Sequence, residues 1–148
     1  MTVIPKGSYS ERGLRELRIS KTEALTGNAY AILRLAAFYY DSGHPRQAEK
    51  YAKEFLEFDK EDYFIIQMLT GTYFEQKKYA EAEKFLLPLA KKGNTQAQWF
   101  LAMGYFETKK FKESESWAKK ALDGAKKEGS FSKHIEQLLM MLDGELNK

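Results

Sequence analysis

What most constrains this chain is one pattern of side chains that occurs three times in phase. Gly27-Asn28-Ala29, running through Leu35-Ala36 to Tyr39-Tyr40, recurs as Gly93-Asn94-Thr95, running through Leu101-Ala102 to Tyr105-Phe106. A middle copy starts at Asp62 and passes through Leu69-Thr70 to Tyr73-Phe74, so corresponding positions lie 34 and then 32 residues apart. A period of this length marks a repeated supersecondary unit, each copy too small to bury its apolar face alone.

Within a copy, the large and small pair (Leu35-Ala36, Leu69-Thr70, Leu101-Ala102) and the aromatic one turn later (Tyr39, Tyr73, Tyr105) share one face of a helix. A second helical pattern follows, with a small residue at Ala48, Ala82 or Ser114, followed four residues on by Ala52, Leu86 or Ala118. Small residues let two helices approach closely, so each copy reads as an antiparallel pair. Asn28, Asp62 and Asn94 stand just before the first helices, where a side-chain oxygen can accept from unpaired amides. Gly27 and Gly93 precede two of these caps, where the chain leaving a helix needs positive φ. Pro45 fits the first turn of a second helix. Pro88 falls inside the second helix of the middle copy, removes a bond to Lys84 and predicts a kink.

These residues resemble the tetratricopeptide repeat, with a Sel1-like flavour in Gly93-Asn94-Thr95-Gln96-Ala97-Gln98. The resemblance spans about residues 28–128 and implies an all-α, right-handed α-solenoid of three tandem helix-turn-helix repeats, at about 28–61, 62–94 and 95–128. It departs from the family between the helices, where the usual glycine is Gly43 in the first copy but Lys77 and Lys109 in the others. The flanks complete the stack. Phe131, Ile135, Leu138, Leu139, Leu142 and Leu146 form one stripe on a capping helix at about 130–146, with Lys133, Glu136 and Gln137 turned away. Leu14, Leu17, Ala24 and Leu25, with Lys21 among them, form a weaker stripe on an N-terminal helix. Eight helices are expected, in a single domain over residues 10–148 behind a flexible tail at 1–9.

The bulk numbers suit one soluble domain. The 148 residues can bury a sizeable core without staples, and ten glycines and three prolines leave little room for disordered linkers. Cysteine is absent, which excludes disulfides and thiol chemistry. No stretch approaches the roughly 20 apolar residues of a spanning helix, and the N-terminus lacks the apolar core of a secretory signal. The expected location is the cytoplasm, with no membrane insertion. A net charge of +3, with lysines and acids interleaved, is not that of a nucleic-acid binder. The basic concentration at Lys109, Lys110, Lys112, Lys119, Lys120, Lys126 and Lys127 reads as a solvated outer helix, with Trp117 packed inward.

The resemblance implies that first helices line a concave groove that reads a peptide. Helical spacing from the packing residues puts Tyr30, Leu33, Ala37 and Tyr40 on that face in the first copy. Phe64, Gln67, Gly71 and Phe74 follow in the second, and Gln96, Trp99, Met103 and Phe106 in the third. Tyr40, Phe74 and Phe106 make a row of rings not required within a helix pair. An apolar anchor contributes about 1.5–3 kcal/mol, so three or four offset the cost of association and predict micromolar binding. Asp41, Glu75 and Glu107 follow the rings and either favour a basic ligand or pair along the helix, Glu75 with Lys78 and Glu107 with Lys110. The subclass that clamps a carboxylate uses lysine, asparagine and arginine where this chain has Leu33, Ala37, Met68, Gln96 and Phe100; Arg34 alone offers a cation from the first groove helix. The expected ligand is therefore a hydrophobic or amphipathic helix docked in the groove. The alternatives are a homodimer or self-assembled scaffold, or cover from Val3, Ile4 and Tyr9 of the tail. Met140, opposite Phe131 on the capping helix, marks a possible second contact surface.

Catalytic patterns fail. His44 and His134 are the only histidines and have no acids around them in a metal-ligand pattern, and no nucleophile with a buried histidine and fixed acid can be assembled. Gly124 to Ser130 lacks the lysine of a phosphate loop and follows a helix, not a strand. The expectation is a binding protein without cofactor or metal, not an enzyme.

Overall fold

A computed structural model describes residues 11–25, 28–129 and 132–148, and its regular structure there is entirely helical. Expectations placed on residues 1–9, including Val3, Ile4 and Tyr9, and on Gly27 and Phe131 lie outside the described residues. The helices are α1 (Glu11–Leu25), α2 (Ala29–Asp41), α3 (Pro45–Phe55), α4 (Tyr63–Glu75), α5 (Tyr79–Lys91), α6 (Thr95–Glu107), α7 (Phe111–Glu128) and α8 (Ser132–Leu146). They fall into two compact units, Met1–Thr72 and Tyr73–Lys148, with the boundary inside α4.

Local chemistry sets the helix starts. Asn28 Oδ1 accepts from the amides of Tyr30 and Ala31 at 3.0 and 3.3 Å, Asp62 Oδ1 from Ile65 at 2.9 Å, and Asn94 Oδ1 from Ala97 at 2.9 Å. Each cap satisfies amides that have no partner within the helix. Pro45 opens α3, where a missing amide costs nothing. Pro88 lies exposed inside α5, which runs on to Lys91, and the Pro88 carbonyl accepts from the amide of Lys92 at 3.3 Å.

The turns inside the three copies are built alike despite different residues. Gly43, Lys77 and Lys109 all adopt the left-handed conformation, at φ 77°, 57° and 62°. Their amides bond the carbonyls of Tyr40, Phe74 and Phe106, and the next amides, of His44, Lys78 and Lys110, bond those of Tyr39, Tyr73 and Tyr105. The hydrogen bonds of the turn hold lysine where glycine is cheaper, at a cost of about 1–2 kcal/mol per residue.

In the first unit α2 packs against α1 and α3. Ala31, Ala36, Ala48 and Ala52 are wholly buried, the close approach that small residues allow. Leu17, Leu35 and Tyr39 surround Ala48, and the Tyr39 ring stacks on Tyr51 with centroids 5.6 Å apart. Among the described side chains of α1, Leu17 and Ser20 are buried and Lys21 is exposed, while the side chains of Leu14 and Leu25 in the expected stripe lie outside the description.

In the second unit α6 packs against α5 and α7, and α7 against α8. Ala102, Ala118, Ala121 and Ala125 meet Ile135, Leu138 and Leu142 in one cluster. Two buried polar groups tie helices together: Ser114 Oγ on α7 donates to the Ala102 carbonyl on α6 at 2.7 Å, and Gln98 Nε2 on α6 to the Ala90 carbonyl on α5 at 3.1 Å. The expected stripe on the capping helix is in place, with Leu139 and Leu146 half-buried and Lys133, Glu136 and Gln137 exposed. Trp117 is half-buried against the cluster, with the Lys120 ammonium 4.5 Å from its ring centroid.

Candidate functional site

The candidate residues separate by unit. In the first, Tyr30 is 74% and Phe64 52% exposed, each about one residue inside the start of its helix. Leu33 and Ala37 are half-buried and Gln67 is exposed. Tyr30, Leu33, Ala37 and Tyr40 follow helical spacing along α2, as do Phe64, Gln67 and Gly71 along α4. The two faces adjoin where the Tyr40 hydroxyl lies 2.9 Å from the position a Cβ on Gly71 would take. Tyr40 is therefore partly spent on packing, and the open rings are those at the other end, Tyr30 and Phe64.

Arg34 is held within the chain. Its guanidinium pairs with the Glu23 carboxylate, and its Nε donates to Ser20 Oγ at 3.4 Å, both on α1. It borders a recess of about 470 Å³ between α1 and α2, lined by Leu17, Ile19, Ser20, Ala37, Phe38 and Asp41 among others.

In the second unit the same helical positions are largely covered. Gln96, placed on the ligand face by spacing, is only 6% exposed. Trp99 and Phe106 pack against the cluster built by α6, α7 and α8, and the Phe106 ring meets Phe111 at 5.6 Å between centroids. Met103 is half-buried. Phe74 repeats the role of Tyr40: its Cζ lies 3.3 Å from where a Cβ on Gly104 would stand, and its ring meets Tyr79 at 5.4 Å. The row Tyr40, Phe74, Phe106 thus has a packing role that spacing within a single helix pair does not reveal.

Beside Phe74 the second unit holds a pocket of about 190 Å³, whose lining includes Tyr79, Glu83, Leu86, Phe100, Tyr105 and Lys110. The Tyr105 hydroxyl is pushed up to about 12, mainly by burial, then by the Glu83 charge, by its hydrogen bond to Glu83, and by Glu113. Helical periodicity does not single out this group, yet the sequence holds a signal for it. Each copy has a glutamate after the small residue of its second helix. Glu49 and Glu115 pair with Lys53 and Lys119 one turn on, at 2.8 and 3.3 Å, whereas one turn after Glu83 stands Leu87.

His44 precedes α3 with Nδ1 3.2 Å from Ser42 Oγ, and His134 is exposed on α8. Among the described residues no three His, Cys, Asp or Glu side chains gather as a metal site. None of the described helices is long and apolar enough to cross a membrane. No protein-family model matches the chain, and no curated protein is significantly similar to it.

Proposed function

We propose that this chain is a cytoplasmic protein-binding module, not an enzyme, built from three repeats of the tetratricopeptide kind stacked as a right-handed solenoid. It holds a hydrophobic or amphipathic helical segment of a partner protein. Three in-register caps and three left-handed turns of one hydrogen-bond pattern support the repeat reading. The observation that carries the binding reading is the exposure of Tyr30 and Phe64 on adjoining faces of α2 and α4. Exposed aromatic residues at the same register of two helices are what an apolar helix face covers with gain. Leu33 and Ala37 extend the apolar strip, Gln67 supplies a polar contact, and Asp41 at the end of α2 favours a basic residue on the ligand.

The test is fluorescence anisotropy with labelled amphipathic helical peptides whose polar faces are basic or acidic. Micromolar binding of the basic set is expected, weakened about tenfold or more in the Tyr30→Ala/Phe64→Ala variant with helicity unchanged. Equal binding by wild type and variant, or no binding by any amphipathic peptide, overturns the reading. A second reading, a self-assembled scaffold, draws on Met140 and Met141, 76% and 55% exposed on α8; light scattering that stays monomeric at high concentration removes it.

A further inference from the structure

The pocket of the second unit has a composition that selects for charge as well as shape. Its lining brings four rings, Phe74, Tyr79, Phe100 and Tyr105, together with one carboxylate, Glu83. We propose that this pocket binds an organic ammonium group, with the rings as its walls and Glu83 as its counter-charge.

Size comes first. A cavity of roughly 150 Å³ is enough for benzene, so one of about 190 Å³ accepts a trimethylammonium group or the aliphatic stem and ammonium of a lysine. The room exists partly because Gly104 lines it: a Cβ there would stand 3.3 Å from the Phe74 ring.

Charge decides the rest. Ring faces attract cations within about 6 Å of the centroid. Glu83 already accepts the Tyr105 hydroxyl, which fixes the carboxylate and leaves its remaining lone pairs for a cation. Glu113 adds negative charge near Tyr105. The opposing charge is Lys110, whose ammonium sits 5.9 Å from the Tyr105 centroid at the pocket lining. It shows that this ring takes a cation, and it competes with any other. An anion would face Glu83, and a bare divalent metal would find one carboxylate where it needs several oxygens. The inference is independent of the first-unit binding face.

The experiment is an NMR titration of the full chain, following the Gly104 amide and the Tyr105 ring. The probes are choline, butylamine, dimethylbutanol as the neutral carbon isostere of choline, and an end-blocked peptide with a single lysine. A cationic probe should saturate, with the isostere binding about tenfold more weakly. Glu83→Gln, which keeps an oxygen for the Tyr105 hydroxyl, should abolish that preference, and Lys110→Gln should tighten cation binding several-fold. Saturation by choline or butylamine identifies a free amine as the source, and saturation by the peptide alone identifies a partner's lysine. Equal affinity for choline and its isostere, no saturation by any probe, or a preference that survives Glu83→Gln overturns the assignment.

Discussion

The first and second units start from the same helical pattern and treat its aromatic face differently. On α2 and α4 the leading positions, Tyr30 and Phe64, face solvent. On α6 the position in the same register, Gln96, is buried, and Trp99 one turn later packs on the cluster shared by α6, α7 and α8. A repeat fixes which face of a helix is apolar, and neighbouring helices decide whether that face is core or surface. The difference teaches that equivalent residues in the pattern should carry different energies in the two units, and mutation can measure this.

The largest contrast should come from the rings. Truncating a large buried aromatic costs about 3–5 kcal/mol; Trp99 is half-buried, so Trp99→Ala is expected to cost about 2–3 kcal/mol in urea unfolding. Phe64→Ala and Tyr30→Ala, at exposed sites, should stay within about 0.5 kcal/mol of wild type. If Phe64→Ala destabilises as much as Trp99→Ala, the first-unit face is structural and the contrast between the units collapses.

Two glycines sharpen the comparison at a smaller scale. In the second unit a Cβ on Gly124 would fall 2.3 Å from Thr95 Oγ1, which itself donates to Glu128 at 2.9 Å, and Thr95 is buried. Gly124→Ala must move Thr95 or break that bond, an overpacking cost of about 1–3 kcal/mol partly offset by the roughly 1 kcal/mol that alanine gains over glycine in a helix. A net loss of about 1–2 kcal/mol is expected. In the first unit a Cβ on Gly71 would come closest, at 2.9 Å, to the hydroxyl at the far end of the Tyr40 side chain, with ring atoms at an ordinary 3.6 Å, a milder conflict that a small shift of the ring relieves. Gly71→Ala should change stability by less than about 0.5 kcal/mol. Thermal unfolding of both variants checks the pair; a destabilised Gly71→Ala would mean that Tyr40 is rigidly held.

How far the chain could be read follows from the range of each interaction. Asn28, Asp62 and Asn94 cap their helices as their position implies, because a cap needs only the next three residues. Lys77 and Lys109 become legible as turn residues only through their register with Gly43, since lysine carries no preference for positive φ. The helix count and the stripe on α8 are legible for the same local reason. The site is less so. The Arg34 pairing with Glu23 and the Glu83 contact with Tyr105 join residues on different helices, and no periodicity within one helix encodes them. Gln96 looks like a surface residue by type and by register, and only packing by adjacent helices makes it buried.

The smallest effect tests whether the units also differ in how well their buried hydroxyls are satisfied. Thr70 occupies the small position held by Ala36 and Ala102 in the other copies, is 2% exposed, and its hydroxyl has no partner among the described residues. Ser114 in the second unit is equally buried but donates to the Ala102 carbonyl at 2.7 Å. An unsatisfied buried hydroxyl costs about 1–3 kcal/mol, whereas a made hydrogen bond contributes about 1 kcal/mol. Thr70→Val preserves the branched shape and removes the orphan oxygen, so it should stabilise the protein by about 1 kcal/mol. Ser114→Ala should destabilise it by about 0.5–1 kcal/mol, because alanine's higher helix propensity recovers part of the lost bond. The diagnostic is the opposite sign of the two shifts in denaturation midpoint. Destabilisation by Thr70→Val would show that its hydroxyl has found a partner, such as an ordered water, and the two units would then be equally satisfied.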